Sequence, residues 1–179
     1  MPKIPYAEEG TEAPEATAVY GFIKQQVGMV PNFIKLMGHS GPATEALGAI
    51  LDSYLNKLSI APRIREIAYL TVARANDCGY CQGHHVPMGK GSGLTDEQIA
   101  VLGPEGYDNP LLSKAEQAVV RFAYETTKNV AAEDETTKSL KKHFSSKEIV
   151  EIAYVTASGN FIQRIGKNLG VELETAPTD

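Results

Sequence analysis

Apolar residues recur along most of this chain at three- and four-residue spacing, and no stretch alternates strictly between apolar and polar. That pattern predicts helices and no strands, hence an all-α fold. Residues 1–12 read as an irregular arm with two prolines, an acidic pair and a glycine. Pro14 suits a first helical turn; Val19, Phe22, Ile23 and Val27 follow on one face, and Gly28 ends the helix. Asn32 is placed to cap a short helix over 33–37. Pro42 opens another, with Ala46, Leu47, Ile50, Leu51, Tyr54 and Leu55 on its apolar side.

Ser59 reads as the N-cap of a helix over 60–75 that is apolar nearly all round: Ile64, Ile67, Ala68, Leu70, Val72 and Ala73. Such a helix belongs in the middle of a core. Asn76 and Asp77 are expected to end it and to cap a new helix over 78–90. Three later stretches have the form of a capping box, Thr95 with Gln98, Ser113 with Glu116 and Ser145 with Glu148, and each should open a helix. Between the first two lies a loop over 103–110. A further amphipathic helix is expected over 133–144. Gly159 and Asn160 should break the one that starts after Ser145, leaving a last helix over 161–169. The organisation expected is an arm at 1–12, one helical bundle domain at 13–171, and a loose acidic tail at 172–179.

The pattern also repeats weakly. Residues 64–71, Ile-Arg-Glu-Ile-Ala-Tyr-Leu-Thr, resemble residues 149–156, Ile-Val-Glu-Ile-Ala-Tyr-Val-Thr, at an offset of 85 residues. Carried forward, that offset sets Gln163, Gly166 and Gly170 opposite Cys78, Cys81 and His85. The second copy keeps the scaffold and lacks the chemistry. Chance likeness between two buried helices is the plain alternative.

Composition narrows the partners. The chain has 179 residues, 42% apolar and 22% charged, with a net charge of -5, a profile of globular proteins. Neither nucleic acid nor an anionic membrane is expected as a partner, because both attract basic surfaces. The first residues show no apolar signal core, and no apolar run approaches the roughly 18 residues of a membrane span. A cytoplasmic location is therefore expected. Both cysteines lie in one Cys-x-x-Cys, at 78 and 81. In a reducing compartment that spacing means redox chemistry or metal binding.

On a helix over 78–90, Cys78, Cys81 and His85 stand at i, i+3 and i+7, on one face. Cys81 lies in the first turns, where a helix N-terminus favours thiolate. His85 follows one turn later, placed to exchange a proton with its sulfur. Glu66 is the odd residue of the apolar helix, flanked at +1, +4 and +7 by Ile67, Leu70 and Ala73. Partial desolvation of its carboxyl would suit proton shuttling; an ion pair with Arg63 or Arg65 is the bland reading. Zinc held by Cys78, Cys81, a histidine from 84/85 and Glu66 lacks the second spaced ligand pair of structural zinc sites. His84 falls off the shared face, and His39 and His143 have no partners in sequence.

Glu66, eleven residues, then Cys78-Gly79-Tyr80-Cys81-Gln82-Gly83-His84-His85 resembles the E-x11-C-x-Y-C-x-x-x-H signature of alkylhydroperoxidase D-like proteins, a branch of the carboxymuconolactone decarboxylase superfamily. The likeness runs loosely from about Gly28 to Val171. It implies an all-helical fold and reduction of hydroperoxides by a thiol pair. Cys81 would attack the peroxide, Cys78 would resolve the sulfenic acid into a disulfide, and Glu66 with His85 would relay protons. Tyr80 matches that signature, but the best-known peroxidases of the family carry a second histidine there, which leaves the implied relay one member short.

The resemblance also implies a trimer or hexamer, which agrees with more apolar helix faces than one small bundle covers. No metal, haem or flavin is needed, since Cys81 is itself the nucleophile, but an outside dithiol or protein must reduce the disulfide. Rival expectations are a general disulfide oxidoreductase or redox sensor, a lyase of the decarboxylase branch, and a zinc-stabilised binding module.

Overall fold

The structure is a computed structural model that describes residues 1–174. Among these residues it contains nine α-helices and no strand, so the expected all-α class holds. No helix of the described residues is long and apolar enough to cross a membrane. The chain forms two compact units. One comprises Met1–Leu58 with the segment from Ile165 onward, and the other is Ser59–Arg164.

In the first unit, α1 (Thr17–Val27), α2 (Asn32–Met37) and α3 (Gly41–Asp52) follow one another closely. α1 ends where Gly28 turns left-handed at φ 84°, a conformation that glycine adopts without strain. The N-terminal arm is irregular, as its composition predicts, but it is docked. Lys3 N–H donates to the Leu169 carbonyl at 2.8 Å and Ala7 N–H to that of Lys35 at 3.0 Å. The Tyr20 hydroxyl donates to the Ala7 carbonyl at 2.7 Å. The start of the expected loose tail is docked as well. Asn32 donates through its backbone to the Glu174 carboxylate at 2.6 Å and through its side chain to the Glu172 carbonyl at 3.0 Å. Residues 175–179 of that tail lie outside the described residues.

The second unit is built on α4 (Pro62–Ala75), in which every residue from Glu66 to Ala73 is buried. Ile67, Leu70 and Val72 are wholly inaccessible, and burial of each contributes about 1.5–3 kcal/mol. Around it come α5 (Gly79–Gly91), α6 (Asp96–Ala100), α7 (Lys114–Asn129), α8 (Asp134–Leu140) and α9 (Ser146–Leu169), whose last turn belongs to the first unit. α7 supplies Val119, Val120 and Ala123 to the same core, and α9 supplies Ile152 and Val155. Gly89 lets α5 lie close on α4, since a Cβ there would stand 3.0 Å from Leu70 Cδ1.

All three expected capping boxes form. Thr95 pairs with Gln98 and Ser113 with Glu116, each in both directions. Ser145 N–H donates to Glu148 Oε2 at 2.8 Å while Glu148 N–H donates back to Ser145 Oγ at 3.3 Å. Arg63, on the first turn of α4, links two of these boxes. Its Nε donates to Glu116 Oε1 at 2.6 Å and its Nη2 to Gln98 Oε1 at 3.0 Å, while Nη1 reaches the Gly93 carbonyl.

Several local expectations differ, Asn32 being the first residue of α2 and not its cap. Ser59 does not cap α4, which begins two residues beyond the expected start, with Pro62 in its first turn. Ser59 instead donates through its N–H and hydroxyl to Glu151, which also accepts from Ile60 N–H at 2.8 Å. Glu151 is the repeat counterpart of Glu66, and its carboxylate is spent on holding the chain before α4. The break expected at Gly159 and Asn160 is absent, and α9 runs through it. Tertiary contacts override the weak local propensity. Buried Gly159 packs near Val72 and Tyr69, and the Asn160 side chain donates to the Thr156 carbonyl one turn back and to Thr127 Oγ1, both at 3.0 Å. The helix expected over 133–144 is shorter, Asp134–Leu140.

The Glu116 carboxyl is largely buried. Burial opposes its charge, but the Ser113 backbone and the Arg63 guanidinium outweigh that and hold its pKa below the ordinary carboxylate value. A carboxyl depressed in the folded state adds stability that is present above its unfolded pKa and lost as pH falls through the folded one. Glu116→Gln should therefore cost about 1–3 kcal/mol at neutral pH. It should also flatten the fall of the unfolding midpoint on acidification, read by thermal melts across the carboxylate range. Parallel melting curves for parent and variant at every pH would contradict this linkage.

Candidate active site

α4 ends at Ala75, and Asp77 turns the chain with a left-handed φ of 50°. Cys78 then stands as the N-cap of α5, so the helix starts one residue later than expected. Behind this corner the Asn76 side chain donates to Asn160 Oδ1 at 3.0 Å and to Gln163 Oε1 at 2.9 Å, both on α9. Gln163 is the repeat counterpart of Cys78, and it anchors the turn that presents the thiols.

Both cysteines are reduced and both are buried, Cys78 at 2% exposure and Cys81 at 3%. Although Cys78 stands at the helix start, its side chain turns inward and is as buried as that of Cys81. The two sulfurs lie 2.9 Å apart and share a hydrogen bond. Closing a disulfide from there needs less than about 1 Å of sulfur movement.

Across from them α4 presents Glu66 and Tyr69, three residues apart on one face. Glu66 is 1% exposed. Its Oε2 lies 2.9 Å from His85 Nδ1 and its Oε1 lies 3.5 Å from Arg65 Nε. The proposed relay contact and the bland ion pair therefore both form, one on each carboxylate oxygen. With Nδ1 donating to the carboxylate, neutral His85 carries its lone pair on Nε2, the tautomer of a base.

Tyr69 was not singled out from the sequence. Its hydroxyl donates to Cys81 Sγ at 3.9 Å, and its ring stacks on His85 with centroids 3.6 Å apart and planes at 18°. The available signal was its position one turn after Glu66 on a buried helix. His84 lies off this arrangement, with its ring 4.7 Å from that of Tyr80. The described residues contain no group of three or more His, Cys, Asp or Glu side chains arranged to hold a metal ion.

Electrostatics modifies one expectation. The helix N-terminus favours thiolate at Cys81, yet the Cys81 thiol is pushed up. The Cys78 sulfur in hydrogen-bond contact is the largest cause and burial the second, while the Tyr69 hydroxyl acts in the opposite direction. Two thiols this close ionise as a pair, because charge on one sulfur hinders loss of the other's proton.

The sequence model of the carboxymuconolactone decarboxylase family matches residues 43–123, a stretch that contains Glu66, Tyr69, both cysteines and His85. Solved structures of alkylhydroperoxidase D-like proteins share the fold over nearly the whole chain. A peroxidase-related protein with an alkylhydroperoxidase AhpD core, from Ralstonia eutropha JMP134, is 20% identical with a TM-score of 0.79, over 97% of this chain and 92% of its own. This chain thus resembles the carboxymuconolactone decarboxylase family over residues 43–123 and shares the fold of alkylhydroperoxidase D-like structures.

A peroxidase-related protein from Silicibacter sp. TM1040 is 22% identical with a TM-score of 0.78, over 97% of this chain and 94% of its own. The debrominase Bmp8, solved as a cysteine-to-alanine variant in complex with 2,3,4-tribromopyrrole, is 20% identical with a TM-score of 0.79, over 98% of this chain and 92% of its own. No curated protein sequence matches the chain. One fold thus carries proteins with different activities, and the side chains at the site must carry the functional reading.

One consequence follows from the sulfur pair. Removing the Cys78 sulfur removes the largest cause of the raised Cys81 pKa. In Cys78→Ala, the pH profile of Cys81 alkylation by iodoacetamide should move to lower pH than that of Cys81 in the parent. An unmoved profile would mean that burial alone sets this thiol.

Proposed function

We propose that this protein is a thiol-dependent hydroperoxide reductase in which Cys81 attacks the peroxide, Cys78 resolves, and Glu66 with His85 relays the proton. The observation that carries this reading is the buried sulfur pair, 2.9 Å apart, set beside the Glu66–His85 hydrogen bond of 2.9 Å. The first two electrons come from Cys81. Its thiol gives a proton to His85, and the thiolate attacks the peroxide. An S–O bond forms, the O–O bond breaks, and the leaving alkoxide takes the proton from His85 as an alcohol. The Cys78 thiol then attacks the Cys81 sulfenic sulfur, an S–S bond forms, and water leaves. An outside dithiol or protein reductant returns both thiols, and the product is an antioxidant cycle with no metal, haem or flavin.

Single replacements separate the roles. Cys78→Ser should react once and leave a trappable sulfenic acid on Cys81, without turnover. Cys81→Ser should not react at a comparable rate. The reverse pattern would exchange the roles, and full turnover in both would favour a lyase of the decarboxylase branch. Glu66→Gln should slow dithiol oxidation by roughly 10²-fold with the fold intact. Lowered stability with an unchanged rate would leave Glu66 as an ion-pair residue only. A general disulfide oxidoreductase or redox sensor would show the same thiols but no peroxide-driven turnover with a dithiol.

A second reading rests on the likeness to a debrominase. The same dithiol can give two electrons to a carbon–bromine bond, which leaves a C–H bond, hydrogen bromide and the same disulfide. Bromide release from 2,3,4-tribromopyrrole by the reduced protein tests it.

The assembly proposed is a homotrimer or homohexamer. α9 carries Val150 at 67% and Phe161 at 41% exposure, three turns apart on one face. Light scattering at micromolar concentration should show such a mass, and a monomer would contradict it.

A further inference from the structure

We propose that Tyr69 is a catalytic residue of this site: its hydroxyl holds the Cys81 sulfur by a hydrogen bond as that sulfur reacts, and its ring fixes the plane of His85. The inference rests on the thiol reading above and assigns a role to a residue outside the motif that led to it.

Tyr69 is 4% exposed, and its phenol is directed at one sulfur of the pair, 3.9 Å from Cys81 Sγ. Sulfur accepts such bonds at long range, and it accepts them more strongly as thiolate than as thiol. The bond therefore strengthens when Cys81 loses its proton, which is the differential that speeds attack. Burial leaves little water to do the same. The Cys78 sulfur opposes ionisation of Cys81, whereas Tyr69 favours it. Tyr69 thus offsets part of what the close approach of the two sulfurs costs.

The ring performs the second task. It stacks on His85 at 3.6 Å and 18°, close to parallel, while Glu66 holds Nδ1 in the ring plane at 2.9 Å. One contact sets the plane of the imidazole and the other its rotation within that plane. Glu66 and Tyr69 sit one turn apart on α4, so a single helix face positions both the base and the sulfur.

Tyr69→Phe separates the tasks, because it keeps the stacking ring and loses only the hydroxyl. The test is alkylation of Cys81 by iodoacetamide in a Cys78→Ala background, with and without Tyr69→Phe, followed across pH by mass spectrometry. This reads the thiolate directly and needs no peroxide activity. Expected is a profile moved to higher pH, with Cys81 about ten-fold less reactive near neutral pH, the worth of one hydrogen bond to a charged group. Superimposed profiles would overturn the role of the hydroxyl, since a purely structural tyrosine would change the yield of folded protein but not the position of the profile.

If Tyr69→Phe does not fold, the parent chain supplies the reading. The difference Raman spectrum of the tyrosine doublet between thiol and alkylated Cys81 should show the loss of a hydroxyl donor bond, and no difference would overturn the proposal. Failure of the peroxide reading looks different: hydrogen peroxide would leave both thiols reduced while the alkylation profiles still differ.

Discussion

A carboxylate in the middle of the most buried helix is the constraint on which this site depends. Glu66 is 1% exposed between Ile67 and the apolar face that follows it, and an unpaired charge there would cost several kcal/mol. Two groups answer it, His85 on one oxygen and Arg65 near the other. His85 lies in the second turn of α5, so meeting Glu66 requires α5 to lie against α4. Gly89 then admits Leu70 at the far end of the same contact. Once α5 is held there, Cys81 stands one turn before His85 and beneath the Tyr69 hydroxyl. The same interaction thus sets the geometry of the helix pair, the orientation of the histidine and the place of the Cys81 sulfur.

Burial gives the site its chemistry and its difficulty together. Sulfurs at 2% and 3% exposure are kept from casual oxidants, yet burial and the neighbouring sulfur both hold the proton on Cys81. A helix N-terminus alone would have favoured thiolate. The structure shows why that local argument is incomplete: the dipole acts within the first turn, but the second thiol is nearer. In the proposed reaction, reactivity must then come from groups that act at the sulfur, and those on α4 are supplied by a helix whose other residues build the core.

Features set by short-range chemistry were legible in the sequence. Thr95, Ser113 and Ser145 each announce a helix start by a residue three places on, and all three form. The apolar run from Ile67 to Ala73 identified the central helix, and the Cys-x-x-Cys with His85 and Glu66 identified the residues that the fold brings together. What failed depended on distant partners. Gly159 and Asn160 looked like a break because their contacts with Val72, Tyr69 and Thr127 come from other helices. Ser59 looked like a cap because Glu151, its actual partner, lies 92 residues away. Tyr69 is part of the core; its proposed second use needs the position of Cys81 in space, which periodicity does not supply.

The central claim is that the buried dithiol is oxidised by hydroperoxide, and mass spectrometry of the reduced protein after one equivalent of hydroperoxide tests it most directly. The account predicts one Cys78–Cys81 disulfide and one alcohol formed per peroxide consumed. Thiols that stay reduced, or a Cys81 that passes to sulfinic acid with no disulfide formed, would contradict it.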